Sequence, residues 1–224
     1  MDKSWTLITK EARDGFRNRW VVMITLVMTG LALTLSLLGS APTGSTSVSP
    51  LAVTVVSLSS LSIFFIPLIA LLLAYDSVVG EAERGTLTLL LVHPVSRTQV
   101  IIGKFIGHLF LLSVAIVVGY GVAAIAVAVS SEGGFAEQEW TSFLKLLVSS
   151  VLLGAIFLAI GYVVSAWVRE RGTAAAYAIA IWLLFVLLYD MGLLALLASD
   201  DGQILNGNLV KWLMLFNPTD SYRM

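Results

Sequence analysis

The chain has 224 residues, of which 58% are hydrophobic and 12% are charged, and its mean hydropathy is +0.94. Because soluble globular domains carry about 25% charged residues, this composition excludes a soluble protein, and the net charge of −1 excludes a basic nucleic-acid-binding protein. The absence of cysteine excludes a disulfide scaffold, a thiolate metal site and cysteine catalysis.

Residues 1–19, ahead of the first apolar stretch, are predicted to form an amphipathic elbow helix. On a helical wheel, which advances about 100° per residue, Trp5, Ile8 and Phe16 fall on one face, with basic residues beside them. Such a helix rests in the inner membrane interface, with its apolar face in the acyl boundary and its cations among anionic headgroups. A basic leader that does no more than orient the first span is the alternative.

Long uncharged stretches follow and predict membrane-spanning helices. A helix needs about 20 apolar residues to cross the hydrocarbon core. The stretch between Arg19 and Asp76 is long enough for two crossings, separated by a segment at 41–50 rich in turn-forming residues. The five predicted spans lie at 20–38, 51–74, 102–129, 143–167 and 173–198. The predicted fold is therefore an all-α polytopic membrane protein with a transmembrane domain at 20–198.

The basic residues predict a cytoplasmic N-terminus. In that orientation the inner segments hold ten of the thirteen lysines and arginines, and the outer segments hold Lys145, Lys211 and Arg223. The reverse orientation would invert the excess of positive charge on cytoplasmic loops. A cleavable signal peptide fits poorly, because the charged leader and the apolar run after it are both too long.

The inner loop at 76–100, between the second and third spans, carries the main functional signal. Its acidic residues, Asp76, Glu81 and Glu83, suit the N-terminal region of a short helix, and Gly85 permits a sharp change of direction. An apolar run at 87–92 follows and is stopped by Pro94. A short helix with acidic and apolar sides can dock in a partner's groove. A linker that merely connects two spans is the alternative.

Asp190 is the one acidic residue inside a predicted span. A carboxylate at this depth either lines an outward vestibule or bonds to another helix, and both interpretations stay open. The two histidines and six methionines have no metal-binding spacing. The chain also lacks a phosphate-binding loop, an H-E-x-x-H motif and paired membrane aspartates, so no catalytic, metal or cofactor residue is predicted in it.

The loop string Glu81-x-Glu83-x-Gly85-Thr86-Leu87, followed by Pro94, Arg97 and 103–104, resembles the corresponding loop of ABC-2 type exporter permeases. The strings at 67–76, 103–108 and 217–223 are more similar still to NosY-type permeases of the nitrous oxide reductase maturation system. The resemblance implies that the loop contains a coupling helix that contacts an ATPase subunit. The residues to which it assigns this coupling are Asp76, Glu81, Glu83, Arg84, Gly85, Thr86, Leu87, Pro94 and Arg97.

The resemblance also implies an assembly in the bacterial inner membrane. The permease would form a homodimer with two cytoplasmic ATPase subunits, which bind the ATP and magnesium, and would meet a periplasmic β-helical protein and membrane lipid. The implied role is the assembly of the copper–sulfur centre of nitrous oxide reductase. A non-transporting scaffold that passes mechanical force, or an exporter of another small or hydrophobic solute, is the alternative.

Members of this family have six spans, whereas five are predicted here. The apolar run at 209–216 is too short to cross a bilayer. Residues 199–224 are therefore expected to form an outer-face segment that leads to a missing sixth span, in a chain that stops short of its natural end. A genuine five-span protein is the alternative.

Overall fold

A computed structural model of the chain describes residues 19–39, 50–85, 96–130, 137–199 and 207–224. Every regular element in these ranges is helical, and a π-helical turn at Leu184–Leu188 joins the sixth helix to the seventh. The helices are α1 (Arg19–Gly39), α2 (Pro50–Ala74), α3 (Val79–Glu83), α4 (Arg97–Ser130), α5 (Glu137–Trp167), α6 (Arg171–Leu183), α7 (Tyr189–Ser199), α8 (Gly207–Phe216) and α9 (Pro218–Arg223). The predicted all-α polytopic fold is confirmed.

Four helical stretches are long and apolar enough to cross a membrane. They lie at Leu51–Glu83, Arg97–Val129, Glu139–Trp167 and Arg171–Ser199, and a shorter apolar stretch, Thr25–Thr34, lies within α1. Each of these five stretches overlaps one of the five predicted spans. The predicted elbow residues Trp5, Ile8 and Phe16 lie outside the described residues.

The spans pack through small residues at the points where two helix axes come close. A Cβ atom at Gly161 of α5 would lie 2.6 Å from the Cβ atom of Ala74 on α2. A Cβ atom at Gly154 would lie 2.5 Å from a methyl group of Leu112 on α4. Without a hydrophobic driving force between helices in lipid, such close approach supplies the packing energy. The α2–α5 pair is therefore held rigidly.

A chain of buried hydroxyl groups crosses the middle of the bundle. Ser62 of α2 lies 2.5 Å from the hydroxyl oxygen of Tyr120 on α4 and 3.4 Å from Ser150 on α5. Ser150 in turn lies 3.0 Å from the hydroxyl oxygen of Tyr222 on α9. Ser62, Tyr120 and Ser150 are fully buried, so each hydroxyl needs a partner inside the protein. This network ties three spans to the last short helix.

Helix α9 lies against the fifth span. The π-helical turn interrupts the regular hydrogen bonding of the fifth span, and the carbonyl of Phe185 accepts hydrogen bonds from Asn217 Nδ2 at 2.9 Å and Thr219 Oγ1 at 3.1 Å. Phe185 lies 14 residues beyond Arg171, about 21 Å along the helix at 1.5 Å per residue. The chain therefore re-enters the bundle to about its middle, because polar side chains of α9 satisfy a carbonyl inside the fifth span.

Candidate functional site

The short helix α3 lies at one end of the bundle and is held there by the end of α5. Ser165 Oγ accepts hydrogen bonds from the backbone amides of Val78 at 3.0 Å and Val79 at 3.2 Å, the first amides of the helix. Val79 and Gly80 are buried against the neighbouring spans. Gly85 ends the segment with φ at +71°, a conformation that favours glycine. The loop thus contains a short helix, α3, which packs onto the bundle and is followed by a sharp turn at Gly85.

Asp76, in the turn before α3, is the centre of a group of charged residues. Arg171 approaches its carboxylate with two nitrogen atoms, Nε at 2.5 Å from Oδ1 and Nη2 at 2.8 Å from Oδ2. Arg84 adds a third contact, Nη2 at 3.0 Å from Oδ2. Bidentate arginine–carboxylate pairs of this kind fix geometry as well as adding energy.

Glu83, on the last turn of α3, binds the start of the fifth span. Its Oε1 atom accepts a hydrogen bond from the backbone amide of Arg171 at 2.7 Å. The first amides of a helix have no partner within the helix, and a carboxylate there also meets the positive end of the dipole. We call Asp76, Glu83, Arg84 and Arg171 the Asp76 clamp, since together they hold α3 to α6.

Glu81 attaches α3 to the third span. Lys104 Nζ lies 2.7 Å from Glu81 Oε1, and the side chain of Lys104 is only 9% exposed. A buried cation is tolerated when a carboxylate compensates it, and removing one partner of such a pair is costly. One turn further along α4, His108 Nδ1 lies 2.8 Å from the hydroxyl oxygen of Tyr162 on α5.

These charged groups surround a cavity of about 460 Å³ between the second, third and fifth spans. Asp76, Glu81, Lys104, His108 and Arg171 line its polar side, and apolar residues of α2 line the other side. Around α3, the carboxylates of Asp76, Glu81 and Glu83 are matched by the cations of Arg84, Lys104 and Arg171. The acidic residues of the loop are therefore engaged within the chain itself.

The structure brings five of the predicted coupling residues together and separates one from them. Asp76, Glu81, Glu83, Arg84 and Gly85 lie in or beside α3. Arg97 instead is the first residue of α4, with an exposed side chain. The remaining three predicted residues, Thr86, Leu87 and Pro94, lie outside the described residues.

The start of α4 carries a capping box that sequence reasoning overlooked. Ser96 Oγ accepts from the amide of Gln99 at 3.2 Å, and Gln99 Oε1 accepts from the amide of Ser96 at 3.0 Å. The pattern Ser-x-x-Gln predicts such a helix start. The third span therefore begins five residues before the predicted boundary.

Sequence reasoning also missed the cations and the hydroxyl that complete the site. Lys104 and Arg171 were visible only as basic residues flanking spans, and Ser165 lies in an apolar stretch that does not indicate a partner. Asp76 and Arg171 are 95 residues apart in the chain. No local pattern links residues at that separation.

Asp190, at the opposite part of the fifth span, is bonded to another helix. Arg223 Nη1 of α9 lies 2.7 Å from Asp190 Oδ2 and 3.5 Å from Asp220 Oδ1. Of the two interpretations drawn from sequence, the structure shows the interhelical bond. Within the described ranges, no group of three or more potential metal-ligating side chains comes together.

Comparison with known proteins finds one family and two similar permeases. The family described as "ABC-2 family transporter protein" matches residues 5–224. A "Probable ABC transporter permease protein NosY" from Stutzerimonas stutzeri is 46% identical over 224 residues, which is 100% of this chain and 81% of that protein. A protein of the same name from Pseudomonas aeruginosa is 44% identical over 220 residues, which is 98% of this chain and 80% of that protein.

Proposed function

The chain belongs to the ABC-2 family of transporter proteins, and on this basis we propose that it is a permease subunit driven by ATP hydrolysis in a separate ATPase. Its part is to convert movement of the ATPase subunits into movement of its own spans. The observation that carries the proposal is the attachment of α3 to three spans, through Ser165 on α5, Lys104 on α4 and Arg171 on α6. A partner that pushes this loop acts on the whole bundle.

The α3 end of the bundle faces the cytoplasm in this proposal. The basic residues Arg84, Arg97, Lys104, Arg169 and Arg171 all lie at that end. Short cytoplasmic loops of membrane proteins carry an excess of lysine and arginine. The ATPase would meet the α3 end, and α8 would lie toward the periplasm of a bacterial inner membrane.

The fifth span presents an apolar face, which in this proposal packs against the expected sixth span and against the second permease of a homodimer. Within its most apolar window only 6% of the residues are buried, against 44–50% in the three other long spans. The exposed residues include Leu184, Leu188, Met191 and Leu194, which follow one another at helical spacing. Two permeases and two ATPase subunits are the stoichiometry we propose, with lipid against the remaining apolar faces.

The finer role we propose is in assembling the copper–sulfur centre of nitrous oxide reductase. The names of the two similar permeases support it, as does the matching string at 217–223. A β-helical partner would sit on the periplasmic side, and this chain would bind no cofactor of its own. A force-transmitting scaffold and an exporter of another small or hydrophobic solute are the alternatives. Solute flux into sealed vesicles separates them, since ATP turnover without flux favours the scaffold.

Docking is tested with substitutions that leave the charged groups around α3 intact. The exposed side chain of Arg97 is replaced in Arg97→Glu, and the apolar run is changed in Leu87→Asp. Both variants should lose the ATPase on co-purification, because each changes a residue of the predicted docking loop. The control is Lys211→Glu, an equal charge reversal at an exposed site on α8. Retention of the ATPase by both loop variants would refute docking through this loop.

A further inference from the structure

We infer that the Asp76 clamp is the element that transmits movement of α3 to the fifth span. Asp76, Glu83 and Arg171 are then positioning residues, which act through α6 without touching ATP or a transported solute. The inference rests on the proposed function and adds to it the route by which force leaves the loop.

The first step is that α3 contacts α6 directly, through side chains, although the two helices are far apart in the chain. Glu83 and Arg171 are 88 residues apart in the chain, so the covalent path from α3 to α6 passes through α4 and α5. The clamp bypasses that path, since Asp76 holds the guanidinium of Arg171 and Glu83 holds its backbone amide. Both the side chain and the backbone amide of Arg171 are thus bonded to residues in or beside α3. A shift of α3 must therefore move the first turn of α6 or break these bonds.

The second step is that, within the described residues, the fifth span is the least packed of the four long spans. Of the residues in α6, only Ala174 and Ala178 are buried, and in α7 none is. By contrast, α2 and α5 approach each other at Gly161 so closely that an added methyl group would not fit. A displacement applied at α3 should therefore move α6 and α7 against the closely packed α2 and α5, and with them the apolar face that we propose meets the second permease.

The third step is that the site is built around the Asp76 carboxylate. A Cβ atom at Gly80 would lie 2.0 Å from Asp76 Oδ1, inside contact distance. Alanine at this position would push the carboxylate off Arg171 without changing any charge. Gly172, in the first turn of α6, has no atom within 4 Å of an added Cβ and offers a matched control close to the same site.

The test uses the permease–ATPase complex in lipid nanodiscs. Because the chain has no cysteine, a single Leu196→Cys substitution can carry a spin label at an exposed site on α7 that is not among the residues named for the homodimer face. The spectral change on adding ATP reports movement of the fifth span. This ATP-dependent spectral change is measured in the labelled chain without further substitutions. It is measured again in labelled chains that also carry Asp76→Asn, Gly80→Ala or Gly172→Ala, and ATPase co-purification is measured for each.

Asp76→Asn and Gly80→Ala should reduce the ATP-dependent change about tenfold, a factor equivalent to about 1.4 kcal/mol of coupling, while the ATPase still co-purifies. Gly172→Ala should keep the full response. Should Asp76→Asn fail to assemble, Glu83→Ala replaces it, since that exposed side chain gives up one hydrogen bond. An undiminished response in the clamp variants would overturn the inference. Failure of the unmodified chain to bind the ATPase would instead overturn the proposed function.

Discussion

Asn217 links the last helix to the fifth span, and its replacement should destabilise the fold measurably. The residue is fully buried and caps α9, accepting from the amide of Thr219 at 3.1 Å. Its Nδ2 atom donates to the Phe185 carbonyl at 2.9 Å and to Asp220 Oδ2 at 3.1 Å. One amide side chain therefore serves both as a helix cap and as a cross-link between elements.

The expected cost of Asn217→Ala follows from these contacts. Loss of an N-cap costs about 1 kcal/mol, and each of the two hydrogen bonds from Nδ2 contributes about 0.5–1 kcal/mol net. The Phe185 carbonyl keeps Thr219 Oγ1 as a donor, so it is not left unpaired. The total is about 2–3 kcal/mol, a fall of about 4–12 °C in Tm at about 2–4 °C per kcal/mol for a chain of this size.

The assay is thermal unfolding of the purified protein in detergent, followed by size-exclusion chromatography. Asn208→Ala, at an exposed position on α8, is the control and should change stability by less than about 0.5 kcal/mol. Asn217→Asp separates the two roles, because aspartate caps helices as well as asparagine but lacks the Nδ2 donor and adds a second carboxylate beside Asp220. An Asp variant as stable as the unmodified chain would refute the cross-link.

Three further substitutions test the packing and the polar groups by the same unfolding assay. Gly161→Ala should lose about 1–3 kcal/mol through overpacking, whereas Gly121→Ala, with nothing within 4 Å of the added carbon, should lose none. Tyr120→Phe should lose about 0.5–1.5 kcal/mol, the net value of one hydrogen bond. Lys104→Met should lose about 3–5 kcal/mol by leaving the Glu81 carboxylate without its cation, and Glu81→Gln in the same chain should recover part of that loss.

The positions of the spans could be predicted because the signal is local. A run of about 20 uncharged apolar residues is long enough to cross the hydrocarbon core, so α2 and α4 lie where hydropathy places them. The start of α9 was equally open to prediction. Asn217 followed by Pro218 is the pattern of an N-cap and a first helical residue, although the run at 209–216 alone indicates no more than a short apolar segment.

The π-helical turn could not be predicted. The sequence of 184–188 is apolar throughout and does not differ in composition from the helices on either side of it. What stabilises the turn lies elsewhere in the chain, since Asn217 and Thr219 supply donors to the Phe185 carbonyl. The local sequence predicts a helix at 184–188, whereas the hydrogen bonds to its Phe185 carbonyl come from Asn217 and Thr219, which are distant in the chain.

The acidic residues of the loop are a second case in which the local sequence does not reveal the partners of a side chain. From sequence, Glu81 and Glu83 are charges on a short helix and indicate a docking surface for a partner. In the folded chain they lie beside the membrane-spanning region, where a charge is tolerated when it is paired, and Lys104 and Arg171 supply partners.

Replacing both carboxylates with lysine would therefore break contacts within the permease, and loss of the ATPase would not distinguish docking from structure. Arg97 makes that distinction, because its side chain is exposed at the start of α4 and lies outside the clamp.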